Sequence, residues 1–246
     1  MKYDKEKIDD INKSSRINKK IAPWDRPLFL MIITFIGGYM NAYTYITRNG
    51  ILANMHTANM STFGISIALG QWQRALNHFI PIVACILGAA FSEFIKSLII
   101  TKKYKGDWRK MALVLEAMAL FCIGLLPKFV PDYIVTNLVS FFMGYLLCLF
   151  RNCFGIAYNT TICTGNLRTV GQLFYGALDE KSKDSLMKLL TFTVLTFSFA
   201  LGAIPGTIIS IAVSTKSVWV CSFLLLLLVL WMSRFELDSK LPNNNK

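Results

Sequence analysis

Charge is scarce in this sequence. Asp, Glu, Lys and Arg make up 16% of its 246 residues, against about 25% in a soluble domain. A water-surrounded fold needs more than that, so a membrane solvent fits better. Metal-ligand spacing is missing as well. None of the six cysteines stands in a CxxC pair, which removes zinc-ribbon and thioredoxin-like readings. Cys85, Cys122, Cys148, Cys163 and Cys221 lie inside apolar runs and Cys153 beside one, where small buried hydrophobes belong. There is no HExxH, no GxSxG and no phosphate-cradling glycine loop, so metalloprotease, serine-hydrolase and P-loop chemistry have no foothold. The expectation is no enzyme, no cofactor and no metal. The first 27 residues lack a secretory h-region, and the apolar run that begins at Leu28 is not followed by a small-residue cleavage pattern. Residues 1–27 therefore read as a cytoplasmic tail, and 234–246 as a second one.

The charge that is present is mostly basic, with a net of +12. Apart from Lys96, which lies within a run, Lys and Arg sit in or at the edges of the gaps between apolar runs, without interleaved aromatics. That placement is a topology signal, and no nucleic-acid partner is expected. Six apolar runs read as spanning helices: 28–46, 76–100, 109–126, 133–150, 189–213 and 217–233. Each lies near the roughly 17–25 residues that a span needs. Trp24, Trp108, Trp219 and Trp231 lie near their ends, as interface anchors do.

Residues 51–70 (ILANMHTANMSTFGISIALG) and 155–177 (GIAYNTTICTGNLRTVGQLFYGA) are apolar at one end and crowded with polar residues at the other. At membrane depth such segments must be buried in protein or line a wet cavity. They also resemble each other. At a shift of 107 residues, Gly37 meets Gly144, Thr57 meets Thr164, Asn59 meets Asn166, Thr62 meets Thr169 and Gly64 meets Gly171. Further on, Leu87-Gly88-Ala89 meets Leu201-Gly202-Ala203. The pattern reads as an internal duplication, with repeat one over 28–126 and repeat two over 133–233.

Positive charge decides between two topologies. If the polar segments cross, there are eight spans with parallel repeats, and the basic loop 101–110 falls outside. If they re-enter, there are six spans with the N-terminus inside. The inside then carries 21 Lys and Arg, and the outside only Arg48, Arg74, Lys128 and Lys216. The six-span reading follows the positive-inside rule. With three crossings per unit the repeats are inverted, a transporter pattern. The fold class expected is thus an all-α integral membrane protein of the plasma (inner) membrane, with six spanning helices and two broken or re-entrant polar segments.

The stretch GGYMNAYTYITRNGILANMHTANMSTFG, the following LGAA helix, and Thr164-Gly165-Asn166 with its counterpart Thr57-Ala58-Asn59 resemble the YoaK-like family of bacterial membrane proteins. That family carries a domain of uncharacterised function, usually with six spans. The resemblance covers roughly 28–233 and implies a membrane location. Two positions depart from it. Asn41-Ala42 stands where the family often has Asp-Ala, and Leu146-Leu147 where it often has Gln-Asn.

Candidate site residues follow from the polar segments. Thr or Asn ahead of a helical apolar run is an N-cap signal, so each motif reads as opening a half-helix with its positive end inward. Asn41, Asn54, His56, Thr57, Asn59, Thr164, Gly165, Asn166 and Arg168 are the expected substrate-binding set. The plainer role for the same Thr and Asn side chains is bonding neighbouring helices. His56 is a proton relay or a structural histidine, and Arg168 an anion ligand or a snorkelling side chain. Glu93, Lys96 and Glu116 are expected at one depth as an interhelical ion cluster, structural or proton-coupling. The function expected is a transport protein, carrier or channel, for a small polar or anionic solute. The alternatives are a structural or assembly factor without a solute and, third, a membrane enzyme. The partners are the lipid bilayer and that solute, with a homo-oligomer left open.

Overall fold

The computed structural model describes residues 22–48, 50–101, 107–127, 129–153, 155–180 and 182–240. Helix α1 spans Pro27–Thr47, with Pro27 at a first-turn position where no N–H is required. Short α2 spans His56–Ala68 and turns back at Leu69–Gln71 into α3, Trp72–Thr101. Helix α4, Trp108–Leu125, is opened by Asp107, whose carboxylate accepts the Arg109 N–H at 2.7 Å. Helix α5 spans Asp132–Leu147. A two-residue hairpin follows, β1 Asn152–Cys153 paired antiparallel with β2 Ile156–Ala157. Helix α6 spans Thr164–Glu180, α7 spans Lys183–Val213, and a 3-10 turn at Ser214–Ser217 leads into α8, Val218–Lys240.

The six apolar runs all lie on helices. Ser182 caps a polar first turn of α7, accepting the Ser185 N–H at 3.1 Å, so that helix begins at Lys183 rather than 189. Helix α5 stops at Leu147, short of the expected 150, because the chain turns at Cys148 and Leu149. Helix α8 continues to Lys240, past the expected boundary at 233. Most of the two expected tails, 1–21 and 241–246, lies outside the described residues. Three stretches among the described residues are long and apolar enough to cross a membrane: Pro27–Thr47, Trp72–Thr101, and Lys183–Leu237, which takes in α7, the 3-10 turn and α8. Large apolar side chains such as Ile86, Phe94, Phe197, Leu201 and Ile208 are exposed. A predominantly helical chain with such a surface suits a lipid solvent.

Helix α1 packs chiefly on α7, α3 on α5 and α4 on α8, while α2 lies on α3 and α6 on α7. Glycines set the two closest crossings. A Cβ at Gly38 would fall onto the Phe199 carbonyl, and one at Gly202 onto the Phe35 carbonyl. At the other crossing, a Cβ at Gly88 would fall onto the Phe141 carbonyl and one at Gly144 onto that of Cys85. Backbones approach this closely only where a side chain is absent.

Polar contacts define the two ends of the bundle. Arg26 lies 6.0 Å from the Trp231 and Phe235 rings, Arg109 lies 5.3 Å from the Trp24 ring, and Lys110 pairs with Glu236 at 2.5 Å. The starts of α1 and α4 and the end of α8 therefore share one end. At the other, Arg48 pairs with Asp132 at 2.9 Å, and Gly50, Arg74 and Asp132 line one cleft. The end of α1 and the starts of α3 and α5 meet there.

Candidate functional site

After α1 ends, the chain folds back along it. The Ala53 N–H donates to Thr44 Oγ1 at 3.2 Å, the Asn54 N–H to Asn41 Oδ1 at 3.2 Å, and Asn54 Nδ2 to the Gly37 carbonyl at 3.1 Å. Ser140 of α5 donates to the Ala53 carbonyl at 2.7 Å. The second loop, 158–163, approaches α1 from its other half. Tyr158 Oη and Thr34 Oγ1 are 2.8 Å apart, and a Cβ at Gly37 would come within 3.0 Å of Thr161 Cα. Gly37 is the middle residue of a 21-residue helix. Both irregular loops thus reach the midpoint of α1, where a glycine leaves room for them.

Asn59 and Asn166 hold these loops. Asn59 Nδ2 donates to the Leu52 carbonyl at 3.1 Å, and its Oδ1 lies 3.1 Å from His78 Nδ1. Asn166 Nδ2 donates to the carbonyls of Asn159 at 2.6 Å and Ile162 at 3.0 Å, while its Oδ1 accepts the Asn159 N–H at 3.0 Å. The expected capping geometry is not what forms. Helix α2 begins at His56 after Met55, which makes no side-chain cap, and α6 begins at Thr164. Each Asn therefore lies inside the first turn and clasps the loop behind it. The loop backbone has no ladder of its own, so a side-chain amide that both donates and accepts is the group able to satisfy it.

Other polar groups here are buried without a protein partner: Asn41 Nδ2, Asn54 Oδ1, both ring nitrogens of His56, and Thr160 Oγ1. Asn41, Asn54 and Thr160 are almost wholly buried. At the α3/α5 end lies a cleft of about 490 Å³, lined by Gln73, Arg74, Asn77, His78 and Asp132 among others. A further 140 Å³ reaches Thr136 and Asn137, each of which keeps a side-chain oxygen unpaired.

The remaining sequence candidates are scattered. Thr57, Thr164, Gly165 and Arg168 are exposed on the first turns of α2 and α6. Lys96 pairs with Glu93 at 3.1 Å on the exposed face of α3 and lies 5.5 Å from the Trp108 ring. Glu116 is fully buried in α4, with neither oxygen partnered. No ion pair joins Glu116 to the Glu93–Lys96 pair, because depth along two helices leaves open which way each side chain faces.

Sequence reasoning also missed Arg48, Asp132, Ser140 and Thr160. Arg48 and Asp132 look like ordinary loop charges flanking apolar runs. Only Pro131 before Asp132, a helix-start signal, marks the latter. No curated protein and no solved structure matches the chain. A family model described as a protein of unknown function (DUF1275) matches residues 29–231, nearly the whole apolar region, and the chain belongs to that family.

Proposed function

We propose that this protein is a plasma-membrane transport protein, a carrier or channel for a small polar or anionic solute, whose path runs to the loops gathered around Gly37. The observation that carries the reading is that two broken segments converge on the middle of one helix and leave buried polar groups unpaired there. In an apolar solvent irregular backbone of this kind is tolerated where it lines a path or is buried in protein.

Six spans in an inverted duplication fit the geometry. The segment between α1 and α3 leaves and returns at the Arg48–Asp132 end. Helix α2, with 13 residues, is about 20 Å long, too short for a core of about 30 Å. The Asn59 and Asn166 clasps both reach seven residues back, and Leu52 and Asn159 are themselves 107 apart. The glycine crossings pair α1 with α7 and α3 with α5 reciprocally, as swapped repeats do. The YoaK-like resemblance agrees with this span count.

A reporter active only outside the cell, fused after Lys105, is expected to be silent, and a cytoplasmic reporter at the same point active. The reverse outcome makes the polar segments true spans and the repeats parallel. Flux is read by light scattering of proteoliposomes in urea, glycerol, sodium formate and sodium nitrate. The wild type is expected to accelerate swelling with at least one solute. Thr160→Val is isosteric and removes a hydroxyl without a protein partner. It should fold normally and slow flux by about fivefold, the worth of one hydrogen bond. Folded protein that speeds none of these solutes would favour the second reading, a structural or assembly factor. The occupied amides of Asn59 and Asn166 are what support that alternative.

A further inference from the structure

Arg48 is the most deeply buried described cation, at 2% exposure. Its Nη1 donates to Asp132 Oδ1 at 2.9 Å, but Nε and Nη2 are buried without a partner. Those two nitrogens form the side edge of the guanidinium plane, a fork whose spacing matches two oxygens of a carboxylate or nitrate. The Tyr43 hydroxyl, also fully buried, interacts with Arg48 and lies near Asp132, without a well-aligned hydrogen bond to either. A buried guanidinium edge without a protein partner is costly, and a lysine would serve the Asp132 contact alone.

The surroundings favour one negative charge. Asp132 lines the 490 Å³ cleft together with Arg74, whose guanidinium donates to Gln71, so with Arg48 this end carries two arginines and one carboxylate. Asp132 stands in the first turn of α5, where the helix end already offsets part of its charge. The pair also ties the end of α1 to the start of α5.

We propose that Arg48 binds a small planar monovalent anion, a carboxylate or nitrate, on its Nε–Nη2 edge, with the Tyr43 hydroxyl as a second donor. This deepens the transport reading by naming the solute class, and it rests on that reading for its role, while binding itself is measurable without flux.

The test is thermal unfolding of detergent-purified full-length protein, followed by tryptophan fluorescence, in sodium formate, nitrate or chloride at fixed ionic strength. Formate and nitrate are expected to raise the Tm saturably in the wild type and chloride to have little effect. Arg48→Lys keeps the charge, lacks the fork and should lose the shift. Tyr43→Phe should weaken the apparent formate affinity about fivefold, and it decides the matter if Arg48→Lys does not fold. The proposal is overturned by a wild type that does not respond, by a folded Arg48→Lys with an undiminished shift, or by a Tyr43→Phe of unchanged affinity. Nanodiscs add one arm: stabilisation by phosphatidylglycerol over phosphatidylcholine with no formate response assigns the edge to a lipid headgroup and also overturns it. Formate binding without flux leaves the site standing and removes the transport reading. Formate flux unchanged in Arg48→Lys does the opposite.

Discussion

Replacing Gly202 by leucine is expected to eliminate folded protein, while the same change at Gly171 is expected to leave it intact. A Cβ at Gly202 lands on the carbonyl of Phe35, a backbone atom of α1 that cannot swing aside. The clash can be relieved only by separating α1 from α7, the most extensively packed pair of helices. In lipid the apolar tails compete equally for such surfaces, so close van der Waals fit supplies much of the association. Overpacking a well-filled site costs about 1–3 kcal/mol, and displacing a whole helix costs more. Total stabilities are only about 5–15 kcal/mol. At Gly171, on α6, nothing lies within 4 Å of the added Cβ, and losing a helical glycine is mildly favourable. Size-exclusion of a fluorescent fusion in mild detergent separates the outcomes. A monodisperse peak for Gly202→Leu equal to that of Gly171→Leu would show that the α1–α7 crossing is not as close as described.

Asn166→Leu is expected to destabilise more than Asn59→Leu, although the two asparagines occupy matching places in the sequence. Asn166 satisfies three backbone groups, the N–H and carbonyl of Asn159 and the carbonyl of Ile162. Asn59 satisfies one carbonyl, that of Leu52, and meets one side chain, His78. A side-chain hydrogen bond between membrane helices averages only about 0.6 kcal/mol, because an alternative partner is usually near. A loop carbonyl or N–H without a helical partner has no such alternative, and leaving one unpaired costs about 1–3 kcal/mol. The expected order of unfolding temperature is wild type, then Asn59→Leu, then Asn166→Leu. Equal temperatures for all three would show that the loops draw their order from elsewhere.

The helices were legible in the sequence because their cause is local. A run of apolar residues in lipid must satisfy its own backbone, and a helix does so within the run. That is why runs such as 28–46 and 76–100 coincide with α1 and α3 to within a few residues. The polar character of 51–70 and 155–177 likewise marks the irregular loops at 51–55 and 158–163, since composition alone shows that they cannot face lipid. What each polar residue does was not local. Asn59 and Asn166 were read as helix caps, yet they bond loops seven residues behind them. Arg48 meets Asp132, 84 residues away, and neither oxygen of Glu116 is paired with Lys96, which binds Glu93 instead. Hydropathy sums over neighbours in the chain and so can be read along it. A hydrogen bond or ion pair depends on distance and angle between groups that only the packed bundle brings together, so the tertiary structure alone decided which polar atoms were satisfied and which were left unpaired.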